Sequence, residues 1–413
     1  MRTREPRTSR NLSRWKILEK TLNKMVITRW NGRLLTALFD EKEALEIGLE
    51  EERSILGNIY IGKVKNIVKN LNSAFVDYGE NQTGYYSLTD NPVSLLADGS
   101  MRPLKAGDEI VVQVAKDAVR SKDPVLTSNL NFTGKYVILT AQRPQIGFSG
   151  KIADKEWKDR LKPQLETITE GKVGLIIRTN AYGEEEALLN EIHYLYERYR
   201  SVMERAKYRT CFSLLHEAEP EYVKSMKSCP EGSLGEVVTD QADVYENVNE
   251  YLTLYHPDGE VNLRLYDDKL LSLSRLYSLE TIMNEACQKR AWLKSGGYLI
   301  IEPTEAMVVI DVNTGKYTGK KNLEDTIRMT NLEAAKEICH QIRLRNLSGI
   351  IMIDFIDMKS DEDKALLMQT LRMHAAKDPV KVHVVDMTQL NLVEMTRKKE
   401  KKPLWEQFRE RTK

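Results

Sequence analysis

The stretch "AMVVIDVNTGK", Ala306 to Lys316, drives an apolar run straight into Asp311, and "GIIMIDFIDM", Gly349 to Met358, drives another into Asp354. Runs this short and this rich in Val and Ile are strand-sized. "GGYLIIE", Gly296 to Glu302, reads as a further strand just upstream, set off by "PTEA". Between the two aspartates, the span from Leu323 to Arg345 sets Ile327, Leu332, Ala335, Ile338 and Ile342 at helical spacing, and Gly349 closes the turn beyond it. Strand, helix, strand of these lengths is a β-α-β unit, whose strands run parallel and are buried. Ligands of such sheets gather at the carboxyl ends of the strands, where both aspartates stand.

Asn313 lies two residues beyond Asp311 and shares its face while the chain stays extended. Two carboxylates and an amide oxygen make a hard, oxygen-only site that suits Mg²⁺, with Mn²⁺ as a substitute. A single strand-end aspartate is better explained as a cap for the next helix or turn. A matched pair joined by one β-α-β unit favours the metal. Asp357 falls on the opposite face from Asp354 if the strand continues, and is read as supporting or structural. The six histidines are scattered and form no H-E-x-x-H pair, and no nucleophile elbow or Walker loop occurs. Chemistry here rests on carboxylates, and metal-assisted hydrolysis of a phosphodiester is the natural reaction.

The rest of the chain bounds the class. It has 413 residues, 41% hydrophobic and 30% charged, enough for two or three domains of a soluble protein. No apolar run approaches the ~20 residues of a membrane helix, and no secretory h-region is visible near the amino end. Cys211, Cys229, Cys287 and Cys339 are too scattered for a zinc knuckle, and read as buried thiols in a reducing cytoplasm. The net charge of +1 means that any nucleic acid must be met by local patches. Two basic stretches qualify. Residues 1–24 read as a solvated, disordered leader ahead of a fold that starts near Met25, and "RKKEKK", Arg397 to Lys402, lies near the other end.

Residues 57–88 alternate like strands between Asn-Leu-Asn-Ser and Gly-Glu-Asn turns, and "DEIVVQVAKD", Asp108 to Asp117, adds another, which predicts a small OB-type barrel. In "AFVDYG", Phe75 and Asp77 point to one face, and Val76 and Tyr78 to the other. An aromatic among polar residues is a stacking platform for bases; equally, Phe75, Tyr78 and Tyr85 could all be core, and the residues alone leave both open. A mixed region follows: a strand "KYVILT", a loop "AQRPQIGFSG", a helix around Trp157, a strand "VGLIIRT", and one helix over 184–206 with acids first and bases last.

Several of these stretches together resemble the ribonuclease E/G family, on its ribonuclease G side. "TEAMVVIDVNTGKYTGKKNLEDTIRMTNLEAAKEICHQIRLRNLSGIIMIDFIDM", Thr304 to Met358, resembles the family's catalytic core. "GNIYIGKVKNIVKNLNSAFVDYG" resembles its S1-type barrel, "GLIIRTNAYGEEEAL", Gly174 to Leu188, its 5′-end sensor, and "LVEMTRKK", Leu392 to Lys399, the segment after the catalytic domain. The match runs from about Met25 to Lys399.

The resemblance implies a multidomain α/β fold. An RNase H-like subdomain is split over 25–51 and 224–287 around an S1-type OB-fold RNA-binding domain (52–128) and a 5′-sensor domain (129–223). A DNase I-like catalytic α/β subdomain (288–400) and a short basic tail (401–413) follow. It also implies roles. Asp311 and Asp354 match the metal-binding aspartates, and Asn313 the residue that orients the scissile phosphate. Arg178 and Thr179 match the holders of a 5′-monophosphate, with Gly134 and Ile138 as backbone and wall of that pocket. Lys381 stands where the ribonuclease E branch carries an arginine, and a lysine cannot grip phosphate bidentately. Phe75, Tyr85 and Lys122 match RNA contacts of the barrel. Without the resemblance, Arg178 reads as a surface ion pair and Lys122 as a loop charge.

The implied activity is Mg²⁺-dependent endonucleolytic cleavage of single-stranded RNA, stimulated by a 5′-monophosphate and leaving 5′-phosphate and 3′-hydroxyl ends, in maturation of ribosomal RNA, decay of messenger RNA, or both. The alternative is a non-catalytic RNA-binding or ribosome-assembly factor on the same scaffold, against which Asp311, Asn313 and Asp354 speak. The family commonly continues into a cysteine pair that shares zinc between subunits. "KKPLWEQFRERTK" holds no cysteine, so no zinc is expected, and a homodimer would form without that link.

Overall fold

A computed structural model of the chain describes residues 22–40, 43–50, 55–118, 123–142, 144–169, 171–230, 232–256, 259–315 and 323–409. Residues 1–21 of the basic leader and Lys122 therefore lie outside the described residues, whereas Lys24, expected in that leader, belongs to the first strand and pairs with Glu236 at 2.7 Å. The chain opens with three antiparallel strands, β1 (Asn23–Trp30), β2 (Arg33–Asp40) and β3 (Glu43–Leu49). Next come β4 (Ile59–Val68), β5 (Ser73–Gly79) and β6 (Gln82–Ser87), a ribbon of β7 (Ser94–Leu95) and β8 (Met101–Arg102), then β9 (Glu109–Lys116) and β10 (Val125–Thr127). Strand β4 pairs with both β5 and β9, so β4-β5-β6-β10-β9 closes on itself as an OB-like five-stranded barrel. Its core is filled by alternate residues such as Val64, Val76, Tyr86, Val112 and Leu126.

Strands β11 (Asn131–Thr133), β12 (Val137–Thr140), β13 (Ile146–Phe148) and β14 (Gly174–Ile177) form a small sheet in the order β11-β12-β14-β13. Helix α1 (Lys155–Thr169) precedes β14, and α2 (Glu185–Ala206) follows it and packs on β12. The segment 141–150, expected to be loop, contains β13: Ile146 to Phe148 pair in parallel with Leu175 to Ile177. Three residues are too few for alternation to register in the sequence.

The chain then returns to the first sheet. Strand β15 (Leu214–His216) adds to the barrel edge at β4, and α3 (Glu221–Ser228) leads to β16 (Leu234–Thr239), α4 (Ala242–Tyr255) and β17 (Asn262–Leu265). Strands β16 and β17 join β1 in parallel, giving the order β17-β16-β1-β2-β3. Helices α5 (Leu273–Leu276) and α6 (Leu279–Ala286) pack beneath it. Cys229 is buried, but Cys287 is exposed, contrary to the expectation of buried thiols, because it follows the buried stripe Leu279, Met283 and Ala286 at the end of α6.

The last sheet carries the opening motif. It comprises β18 (Arg290–Trp292), β19 (Tyr298–Pro303), β20 (Met307–Asn313), β21 (Gly349–Asp354), β22 (Val382–Met387) and β23 (Leu392–Arg397), in the order β18-β19-β20-β21-β23-β22. Helix α7 (Leu323–Leu344) is the crossover from β20 to its parallel neighbour β21, and α8 (Asp361–Ala375) follows β21. Ser360 caps α8 by accepting the Asp363 N–H at 3.2 Å, and Asp361, Glu362 and Asp363 sit at its positive end. Ile310, Ile351 and Ile353 pack against Ile338, Ile342, Leu367 and Leu371.

The strands are not buried on both faces, as continuous apolar runs imply. Both helices lie on one face, and on the other Met307, Val309 and Ile350 are exposed, the last by 48%. The cause is topology: only β20 and β21 are parallel, while β19 and β23 flank them antiparallel and need no helical crossover. Helix α9 (Leu404–Arg409) packs back on β3: Gln407 accepts the Leu49 N–H at 3.0 Å, and Phe408 meets Trp30 edge-on at 5.5 Å. No helix among the described residues is long and apolar enough to cross a membrane.

Candidate active site

Strands β20 and β21 pair in register from Met307↔Ile350 to Asp311↔Asp354, so the two carboxylates are direct cross-strand neighbours. Adjacent strands lie about 4.8 Å apart. Since Val308, Ile310 and Val312 enter the helix-covered core, Asp311 and Asn313 project from the open face, and Asp354 joins them there. Asn313 Nδ2 donates to Asp311 Oδ2 at 2.8 Å and fixes that carboxylate. Partial burial raises the pKa of Asp354 from its ordinary value, and the charges of Asp311 and Asp357 raise it further. Carboxylates that repel one another at a strand end, with an amide beside them, fit a divalent, oxygen-seeking cation, which would relieve that repulsion.

Asp357 does not fall on the opposite face, because the strand ends at Asp354. The chain turns there and brings Asp357 back within electrostatic reach of Asp354. Asn391 Nδ2 donates to Asp357 Oδ1 at 3.1 Å, while Lys364 Nζ donates to Asn391 Oδ1 at 3.1 Å. The turn is held from below by Asn331 on α7, a residue with no exposed surface. Its Nδ2 donates to the Ile356 carbonyl at 2.8 Å, and its Oδ1 accepts the Ile356 N–H at 3.1 Å. Sequence reasoning passed over Asn331; the available signal was an amide sitting within the apolar stripe of α7. Glycines close the other side. A Cβ on Gly297 would fall 2.7 Å from the Asn313 carbonyl oxygen, and one on Gly315 (φ +61°) 2.3 Å from that of Gly296.

Of the residues expected to hold a 5′-phosphate, Arg178 and Gly134 meet at the β11–β12 turn. The Arg178 guanidinium donates to the Gly134 carbonyl, and the Arg178 N–H to the Tyr136 carbonyl at 2.8 Å. Burial lowers the Arg178 pKa, partly offset by the charge of Glu191. Thr179 is exposed, and its hydroxyl pairs with that of Ser149 at 2.9 Å. Ile138 sits opposite Ile176 on the outer face of the small sheet. Among the described residues no hydrogen bond or ion pair joins Lys381 to Arg178 or Thr179. Lys381 instead lines a shallow groove with Gly349, His383, Thr396 and Lys398.

Glu191, which sequence reasoning missed, organises this turn. It is 4% exposed, and its carboxylate accepts the N–H groups of Lys135, Tyr136 and Val137 at 2.6, 2.7 and 2.9 Å. Gly134 is required there, since a Cβ would fall 2.2 Å from the Glu191 carboxyl carbon. Lys227, also buried, secures the Thr133 carbonyl at 3.0 Å and Glu219 at 2.5 Å.

On the barrel, Phe75 and Tyr85 face each other across β5 and β6 on the outer surface, rings 6.3 Å apart and edge-on, whereas Val76 and Tyr78 are core. The basic run near the carboxyl end is not a loose tail. Arg397 is buried against Asp378 at 2.8 Å, and Lys401 pairs with Glu221 at 2.6 Å. A further cluster, Glu43, Glu337 and His340, has the composition of a metal site. Both His340 ring nitrogens are committed, however: Nε2 to the Ala44 carbonyl at 2.8 Å and Nδ1 to Glu337 at 3.2 Å. It is read as an ion-paired clasp between α7 and β3.

Comparison with known proteins gives the family. The ribonuclease E/G family profile matches residues 131–400. The chain is 35% identical to ribonuclease G of Haemophilus influenzae over 384 residues, covering 89% of this chain and 78% of that protein. Against ribonuclease G of Escherichia coli K12 it is 33% identical over 370 residues (86% and 75%), and against ribonuclease E of a Nostoc species 30% identical over 382 residues (91% and 56%). The chain belongs to the ribonuclease E/G family.

Proposed function

We propose that this chain is an Mg²⁺-dependent endoribonuclease that cuts single-stranded RNA on the open face of the β20–β21 sheet. The observation that carries the reading is the in-register pair Asp311–Asp354 with Asn313 bonded to Asp311. Asp311 and Asp354 would hold the ion, which when bound polarises a phosphoryl oxygen and lowers the pKa of water. Asn313 keeps Asp311 aimed and stands beside the position of the scissile phosphate. Asn331 and Asn391 hold the turn that carries Asp354 and Asp357.

The strand order β17-β16-β1-β2-β3, three antiparallel strands extended by two parallel ones, supports the RNase H-like reading of that sheet. The β20–β21 sheet is read as DNase I-like, the closed barrel as S1-type, and the small sheet with α2 as the 5′-sensor. Phe75 and Tyr85 then stack bases, and Arg178 with Thr179 receives a terminal phosphate. Names of relatives as ribonucleases support RNA as the substrate.

The test is a labelled single-stranded RNA incubated with the chain in Mg²⁺ and in chelator. The reading expects Mg²⁺-dependent internal cuts with 5′-phosphate and 3′-hydroxyl ends. Cleavage that persists in chelator, or 2′,3′-cyclic phosphate products, would contradict it. RNA binding without cleavage in any divalent metal would favour the non-catalytic alternative.

A further inference from the structure

The open face of the catalytic sheet continues past the aspartates to the edge strand β18, and what stands there is aromatic and cationic. Trp292 pairs with Tyr298, and Tyr298 with Asn313; one register row away, Arg290 pairs with Ile300, Ile300 with Asp311, and Asp311 with Asp354. Directly paired residues share a face, and the alternates Ala291, Leu293 and Leu299 are buried in the core. Trp292, Tyr298 and Arg290 therefore stand on the same side as the metal carboxylates. Trp292 is 63% exposed, an unusual state for so large an apolar ring. The Arg290 guanidinium lies 4.4 Å from the Tyr298 ring centroid and 5.3 Å from that of Trp292, whose rings meet at 5.5 Å and 65°. Among the described residues no carboxylate pairs with Arg290.

We propose that Trp292, Tyr298 and Arg290 form a stacking subsite for a base of the single-stranded RNA that flanks the scissile phosphate. An indole face accepts any base, and a guanidinium between aromatic rings contributes stacking and a charge for the backbone. Two strand spacings separate Arg290 from Asp311, about 10 Å, which a strand rising 3.4 Å per stacked nucleotide covers in about three nucleotides, and fewer when extended. The Gly297 hairpin turn that joins β18 to β19 is pressed against Asn313, so platform and carboxylates form one rigid unit. The subsite rests on the reading that the Asp311–Asp354 face is where RNA is cut. It is separate from the barrel aromatics, which lie on another sheet.

The experiment uses the full chain and one RNA whose cut position has been mapped, with 2-aminopurine placed in turn at each position within three nucleotides of the cut. Asp354→Asn traps the uncut complex. Stacking should quench the probe at one or two of these positions. Trp292→Leu, which keeps an apolar residue on the edge strand but no ring, should abolish that quench in the Asp354→Asn background, while Trp292→Phe retains most of it. In the otherwise unaltered chain, Trp292→Leu should lower kcat/KM by roughly 5- to 100-fold, with an unchanged melting temperature. A quench and a kcat/KM that Trp292→Leu leaves within twofold of their original values would overturn the subsite. So would a change in sedimented mass without RNA, which would give this face to a second copy of the chain. Cleavage by Asp354→Asn at the unaltered rate would remove the underlying reading, and the subsite with it.

Discussion

Individual side chains decide the turn proposed to receive a 5′-phosphate, and the decisive one is hidden. Arg178 and Thr179 are proposed for it through the resemblance of "GLIIRTNAYG". Glu191 was not legible in the sequence, because an acidic residue in an acidic, surface-like helix gives no sign that it faces inward. Its partners are backbone N–H groups more than fifty residues away, which no local pattern reveals. Glu191→Gln places an amide N–H₂ among donors and loosens the turn that holds Arg178. Cleavage of 5′-monophosphorylated RNA should then slow toward the 5′-hydroxyl rate, as in Arg178→Ala, and the double variant should show no further loss. An additive loss in the double variant, measured on RNAs with 5′-monophosphate, 5′-triphosphate and 5′-hydroxyl ends, would mean that Glu191 acts elsewhere. Equal rates of the unaltered chain on all three ends would mean that the pocket does not sense the end. On the barrel, Phe75→Ala should weaken RNA binding by about 1–3 kcal/mol without unfolding, because the core there is Val76 and Tyr78. A collapse of the fold instead would return Phe75 to the core.

Among the elements, the β20-α7-β21 unit was read nearly to the residue, since long periodic segments carry the strongest signal. Its open face was not, because apolar runs look alike whether one or both faces are covered. Nor was the turn after Asp354, whose geometry depends on Asn331 reaching across from α7. Asn331→Leu keeps the volume but strands the Ile356 N–H and carbonyl. It should cost about 1–3 kcal/mol of stability and lower kcat by at least tenfold with KM little changed, since misplacement by about 1 Å can cost 100-fold. A normal kcat at reduced stability would make Asn331 purely structural. Helix α7 is also tied to β3 through His340. Burial would lower its pKa, but the hydrogen bonds to Glu337 and the Ala44 carbonyl, with the charges of Glu337 and Glu43, outweigh it, and the pKa is raised above 6.5. Gln341 and Lys294 face the same carboxylate, and Arg343 pairs with Glu46 alongside. Stability from a raised group is fully present below its unfolded pKa and lost as pH rises through the folded value. His340→Gln should therefore cost about 1–3 kcal/mol at pH 6 and much less at pH 8.5, read as urea midpoints; equal losses at both pH values would refute the clasp.

For the whole molecule, the sheets are joined by polar contacts that composition could not foretell. Lys151, just after β13 of the small sheet, donates to the Asp378 carbonyl at 3.3 Å, and Asp378 pairs with buried Arg397 at the end of β23. The run "RKKEKK" looked like a nucleic-acid patch or a solvated tail, yet Arg397 and Lys401 are spent on internal ion pairs, and α9 packs on the first sheet. On the proposed reading RNA meets the Asp311–Asp354 face, the barrel aromatics Phe75 and Tyr85, and Arg178, which would keep binding separable from cleavage. The most direct test of that separation is Asp354→Asn, assayed in Mg²⁺ on one labelled single-stranded RNA for both cleavage rate and dissociation constant. The rate should fall by roughly a thousandfold or more with the dissociation constant within about twofold of the original; cleavage at near the original rate by the folded variant would contradict the role of Asp354.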